Sequence, residues 1–157
     1  LVGDFDPFCL PMLTQHSRKN LEQLLSALAT EAGLLGLSGG VSGDIRDLEA
    51  AADAGHAAAQ LALDVYVAEI RRHLGGMLVA LGGCDALVFT GGIGENDSRI
   101  RQAVCADLSE LGLHLDSAKN AAARGESRLD DAASRSQIWV VPTNEELIVA
   151  RQTVAAL

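Results

Sequence analysis

The sequence predicts an α/β fold that is rich in helix and carries only a partial sheet. Three observations lead there. Apolar residues recur at helical spacing, most clearly at Leu63, Val67, Ile70, Leu74, Met77 and Leu81, with steps of 4, 3, 4, 3 and 4. Two short unbroken apolar runs, residues 86–90 and 138–141, are bounded by glycine or proline and read as buried strands. Helical segments and runs alternate along the chain, which is the order of an α/β protein. With 157 residues and 48% apolar content the chain is one domain's worth, at about 150 residues per domain, and buries a core.

Taken in order, residues 1–11 read as loop, because Asp4, Asp6, Pro7 and Pro11 disfavour both helix and central strand. Residues 17–32 place Leu21, Leu24, Leu25 and Leu28 on one helical face, and Gly33 and Gly36 end that helix. Residues 37–44 form a glycine-rich loop, and residues 46–53 a short helix. The long helix over residues 56–81 buries its apolar stripe, with Met77 as core filler; Gly75-Gly76 weakens it or admits another backbone. After the first strand, residues 91–96 turn out into a helix through residues 98–111. Residues 116–137 are polar and alanine-rich and support only a partial helix. Pro142 stops the second strand, and residues 143–156 close the chain as a helix. Thr143 with Glu146 three residues on has the pattern of a capping box.

Composition excludes several function classes. The net charge is −9 and Lys19 and Lys119 are the only lysines, which argues against nucleic acid and acidic membrane as partners. A nucleotide is compatible, since backbone N–H groups and Mg²⁺ can hold its phosphates. No apolar run reaches the ~18 residues of a membrane span and no signal-peptide pattern is present, so a soluble cytoplasmic chain is expected. Cys9, Cys84 and Cys105 are odd in number and widely spaced, which suits reduced, mostly buried thiols.

Three places carry residues suited to chemistry. Thr90-Gly91-Gly92-Ile93-Gly94-Glu95-Asn96 lies between a strand and a helix, where a ligand can approach bare backbone. The same residues also suit a tight strand-to-helix turn. Asp97 stands where the dinucleotide fingerprint needs glycine, and no P-loop occurs. Asp44 and Arg46, with Ile45 between them, leave the loop 38–43 and suit hydroxyl binding and stacking on an aromatic ring. Asp44 as a helix cap and Arg46 as a solvated side chain explain them equally. Glu145 suits the first turn of a helix, and one well-placed carboxylate also suits Mg²⁺ beside phosphate oxygens. His16, His56, His73 and His114 show no metal-ligand spacing, and no GxSxG elbow is present.

Together these segments acquire a further meaning. GDFDP (3–7), GLLGLSG (33–39), DIRD (44–47), VFTGGIGEN (88–96) and PTNEE (142–146) occur in one order, and that order resembles the C-terminal part of an acetate kinase. This family lies in the acetate and sugar kinase, heat-shock cognate and actin superfamily, and the resemblance runs from Gly3 to about Thr153. It implies the C-terminal portion of an actin-like, ribonuclease H-like ATPase domain, with the N-terminal domain absent. The implied reaction is reversible phosphorylation of acetate by ATP with Mg²⁺, giving acetyl phosphate and ADP. By position, Asp44, Ile45 and Arg46 resemble the segment along adenine and ribose. Gly92, Ile93, Gly94, Glu95 and Asn96 resemble the nucleotide loop, and Glu145 the acidic residue required for Mg²⁺.

The loop 38–43 is one glycine longer than the family's usual pattern. The resemblance also assigns the catalytic aspartate, the substrate-binding arginines, the transition-state histidine and the phosphate loop to positions upstream of Leu1. The chain is therefore expected to be a fragment with no catalytic residue of its own, inactive alone and dimeric in the whole enzyme. A truncated, non-catalytic nucleotide-binding or dimerisation module is the alternative from another class. A propionate or butyrate kinase fragment, acting on another short carboxylic acid, is the near alternative.

Overall fold

A computed structural model describes residues 4–156, apart from the side chains of Glu145, Ile148 and Ala156; Leu1, Val2, Gly3 and Leu157 lie outside the described residues. The chain forms two compact units, Leu1–Glu69 and Ile70–Leu157. In the first, a 3₁₀ turn at Pro7–Cys9 leads into α1 (Leu10–Ser17), α2 (Leu21–Thr30), α3 (Leu34–Leu37) and α4 (Ile45–Asp53). The opening segment is thus not all loop. Both prolines sit in first turns, where no backbone N–H is required, and the Asp6 carboxylate accepts from Phe8 N–H at 2.9 Å.

The helix expected over residues 17–32 is α2, shorter at both ends, and α1 is a separate helix that precedes it. Arg18 takes a left-handed φ of 57° and ends α1. Asn20 and Gln23 then start α2 with a reciprocal capping box, each side chain accepting from the other's backbone at 2.9 and 3.0 Å. Among the described residues, Leu24, Ile45, Leu48, Ala59, Ala62 and Leu63 are the buried apolar side chains of this unit.

Helix α5 (Ala57–Leu81) is as long as its periodicity predicts, and the boundary between the units falls inside it. Its stripe is only partly buried. Leu63 is in the core, whereas Met77 is 62% and Leu81 75% exposed. A Cβ on Gly75 or Gly76 would meet nothing within 4 Å, so no described backbone approaches there.

The second unit carries the sheet. Strand β1 (Ala86–Phe89) is followed by α6 (Gly91–Asn96), α7 (Ser98–Cys105) and α8 (Ser117–Ala122). Then come β2 (Ser127–Arg128), β3 (Gln137–Val140) and α9 (Glu145–Ala156). The order across the sheet is β1-β3-β2; β1 and β3 pair in parallel from Ala86↔Gln137 to Phe89↔Val140, and β2 pairs antiparallel. Strand β2 is a third strand that the sequence did not announce.

Strand β1 is not buried on both faces, as its unbroken apolar run suggested: Val88 is 48% exposed, and Leu87 and Phe89 alone pack toward the core. It is a one-faced strand. The core beneath it consists of Cys105, Leu108, Leu113, Ala123, Leu129, Ile138 and Val140. The helix expected over residues 98–111 stops at Cys105, because Asp107 takes a left-handed φ of 57° and a 3₁₀ turn follows. No helix among the described residues is long and apolar enough to cross a membrane.

Candidate functional site

The glycine segment leaves the carboxyl end of β1 and winds at once into α6, so residues 91–96 are a short helix and not an open loop. One glycine is required by geometry: Gly91 takes φ 73°, a conformation that costs any side chain. A Cβ on Gly94 would lie 3.4 Å from the Phe89 carbonyl carbon, in van der Waals contact with the end of β1.

One carboxylate ties this segment to a distant part of the chain. Glu95 Oε1 accepts from Gly91 N–H at 2.9 Å, from Thr143 N–H at 2.9 Å and from the Thr143 hydroxyl at 3.1 Å. These hydrogen bonds, the one from Thr143 N–H foremost, hold the Glu95 carboxyl below its ordinary value, so it is ionised at neutral pH. The capping box expected from Thr143 and Glu146 therefore does not form. Thr143 is spent on Glu95, and Asn144 caps α9 instead, its Oδ1 accepting from Leu147 N–H at 3.0 Å. Because β1 and β3 are parallel neighbours, residues 90–96 and 141–145 leave the same edge of the sheet. The carboxyl ends of parallel strands are where open α/β sheets bind ligands.

A second tie comes from a residue that the motif reading passed over. Arg101, on α7, is 2% exposed. Its Nη1 donates to the carbonyls of Gly94 and Glu95 at 2.9 and 3.0 Å. Its Nε donates to Asn120 Oδ1 at 2.7 Å, and its Nη2 to the Asn120 carbonyl at 3.0 Å. Asn120 in turn donates to the Ser98 carbonyl at 2.8 Å. A polar cleft of about 240 Å³ adjoins the end of α6, lined in part by Glu95, Asn96, Ser98, Arg101 and Arg124. The signal was available in the sequence: Arg101, Val104, Cys105 and Leu108 share one helical face, so the arginine points where the core residues point.

The other candidates belong to the first unit. Asp44 is the N-cap of α4, accepting from Arg46 N–H at 2.9 Å. Its carboxylate also holds the Arg46 guanidinium by two hydrogen bonds, Nε–Oδ1 at 3.0 Å and Nη2–Oδ2 at 2.6 Å. The side-chain bond from Arg46, followed by its backbone N–H, brings the Asp44 carboxyl down to about 2. The Arg46 side chain is 81% exposed, and an ion pair in water opens at little cost. Ile45 is buried, so its side chain serves the core. Upstream, the buried Ser38 hydroxyl lies 3.0 and 3.1 Å from the carbonyls of Leu35 and Ser42, either of which takes its one proton, and it accepts from Ser42 N–H at 3.3 Å, which shapes the glycine loop. Glu145 is the first residue of α9, two positions past Thr143; its side chain lies outside those described.

The sequence pattern of the acetokinase family matches residues 1–151. The chain belongs to this family. It is 49% identical over 152 residues to the acetate kinase of Deinococcus deserti, covering 96% of this chain and 38% of that protein. It is 48% identical over 152 residues to the propionate kinase of Citrobacter rodentium, covering 97% of this chain and 37% of the relative. The crystal structure of Porphyromonas gingivalis acetate kinase superposes with a TM-score of 0.88 at 37% identity, covering 98% of this chain and 39% of that one. The chain thus spans about two fifths of the length of the acetokinases it matches. The fold expected from the sequence, helix-rich α/β of the actin-like ATPase class, is the fold these kinases have.

Proposed function

We propose that this acetokinase chain is the nucleotide-binding, C-terminal part of a kinase that transfers the terminal phosphoryl group of ATP to acetate, reversibly, giving acetyl phosphate and ADP. The observation that carries this reading is the junction at Glu95, which joins the glycine segment to the segment bearing Glu145 at the carboxyl ends of two parallel strands. Each residue has a role suited to its chemistry. Gly92, Ile93, Gly94, Glu95 and Asn96 offer backbone to the nucleotide, in a chain with only two lysines. The exposed Arg46 guanidinium suits stacking on adenine, and the Asp44 carboxylate accepts from ribose hydroxyls.

Glu145 is the candidate ligand for Mg²⁺. A carboxylate is the hard oxygen donor this ion prefers, and one or two suffice when phosphates complete the shell. Bound there, Mg²⁺ would neutralise charge on the phosphate oxygens. The family resemblance further implies a cytoplasmic homodimer as the working form.

Acetate is the acceptor we infer first. Propionate is the second, because an acetate kinase and a propionate kinase match the chain almost equally, at 49% and 48% identity. Positioning dominates phosphoryl transfer, so the 157 residues by themselves are expected to form no acetyl phosphate from ATP and acetate. Formation of that product by the purified chain would overturn the fragment reading. The nucleotide reading is tested by calorimetric titration with Mg-ADP, using the longest form that the reading frame encodes. Saturable binding is expected, with its Mg²⁺ dependence lost in Glu145→Ala; no binding refutes the assignment.

A further inference from the structure

Two side chains converge on the short helix α6 from opposite directions. Glu95 fastens its start to Thr143, and Arg101 holds the carbonyls of Gly94 and Glu95 at its far end. Those carbonyls belong to the last turn of α6, where intrahelical partners run out. A buried guanidinium supplies the donors instead, and its planar fork fixes direction as well as distance.

The guanidinium is itself held. Asn120 accepts from two of its nitrogens and anchors its own amide on the Ser98 carbonyl, one residue past the Asp97 that caps α7. The chain Gly94/Glu95–Arg101–Asn120–Ser98 is therefore a closed loop of hydrogen bonds through α6, α7 and α8. Burying a guanidinium is expensive, and an apolar residue would fill the same volume at less cost. Packing alone does not account for it, whereas the carbonyls it satisfies belong to residues 94 and 95 of the glycine segment.

We propose that Arg101, oriented by Asn120, is the positioning residue of the nucleotide segment: it holds α6 at the angle at which the backbone of residues 92–96 meets the phosphates. The inference rests on the nucleotide reading given above. Arg101 touches neither nucleotide nor acid in this scheme and acts only through the backbone it holds.

The test uses the longest form that the reading frame encodes and two variants. Arg101→Met removes the fork and keeps the volume; Arg101→Lys keeps the charge and leaves one ammonium that cannot reach both α6 and α8. Amide hydrogen exchange and Mg-ADP titration are read together. In Arg101→Met, exchange over residues 91–97 is expected to accelerate about tenfold or more, with the core amides of Leu113, Leu129 and Ile138 unchanged. Mg-ADP binding is expected to weaken about tenfold or more, since small misplacements of binding groups are costly. The KM for the carboxylic acid is expected to stay where it was. A purely structural arginine would loosen the core and the segment alike.

If Arg101→Met does not fold, Arg101→Lys decides the matter on the same two readouts. Undisturbed exchange over 91–97, or unchanged Mg-ADP affinity in a folded variant, overturns the proposal. Absence of Mg-ADP binding by the parent protein overturns the nucleotide reading instead, a result that the variants alone cannot produce.

Discussion

Replacing Asp130 by alanine tests how the sheet of the second unit is held. The Asp130 side chain is 4% exposed, and its Oδ1 accepts from the buried Ile138 N–H at 3.0 Å. Its two oxygens also take Arg128 Nε and Nη2 at 2.9 to 3.1 Å. These two interactions differ in worth. The Arg128 side chain is 52% exposed and its ion pair is screened by water, whereas Ile138 is fully buried and its N–H would be left without a partner. An unsatisfied buried donor costs about 1–3 kcal/mol, so Asp130→Ala is expected to lose about 2 kcal/mol. With a urea slope near 2 kcal/mol/M, the unfolding midpoint falls by about 1 M.

The single tryptophan, Trp139, lies beside Ile138 on β3, and its fluorescence reports the transition. Asp130→Asn keeps an oxygen for the Ile138 N–H and is expected to recover more than half of the loss. An Asn variant as unstable as the Ala variant would refute the reasoning, because charge would then outweigh the hydrogen bond. The pH dependence follows from the sign of the shift. The hydrogen bond from Arg128 holds the Asp130 carboxyl below its ordinary 3.8, so its contribution is fully present above that pH. It is lost as pH falls through the folded value, and the gap between parent and Asp130→Ala is expected to narrow below about pH 3.8.

Two further outcomes follow from the geometry. Gly91→Ala is expected to cost about 1–2 kcal/mol through backbone strain alone, since φ is 73° and a Cβ would meet nothing within 4 Å; a urea midpoint equal to the parent's would contradict this. Burial pushes the Cys105 thiol up to about 11, so alkylation at pH 8 should modify it at least about a hundredfold more slowly than the exposed Cys9. Equal labelling of both sites in the folded protein, read by peptide mass, would remove the basis for that contrast.

What the sequence revealed and what it hid divide along physical lines. Periodicity located α5, because its signal is repeated over seven turns, but it could not say which part of the stripe is covered; Met77 and Leu81 are not. The apolar run at 86–89 was legible as a strand, and its one-sided burial was not, since an unbroken run reads the same on both faces. Strand β2 is two residues long and contains Arg128, too short for any period to register. The motif segments themselves were plain. Their connection was not: Thr143 carries a local capping pattern, and a partner 48 residues away outcompetes it. Arg101 was passed over, because a charged residue on a helix draws no notice until its neighbours at 104, 105 and 108 show which way it faces.

That bond across 48 residues also sets an order of events in the life of the chain. A ribosome delivers Gly91 to Glu95 well before it delivers the threonine that fastens them, and before β3, the only strand of the sheet that β1 pairs with among the described residues. Through that interval β1 offers an open apolar edge, and the Glu95 carboxylate has Gly91 N–H but not Thr143 to answer it. The last strand and the three residues after it therefore complete the segment in time as well as in space. A nascent chain that stalls before Thr143 carries the glycine motif in full and lacks the two hydrogen bonds that Thr143 gives it.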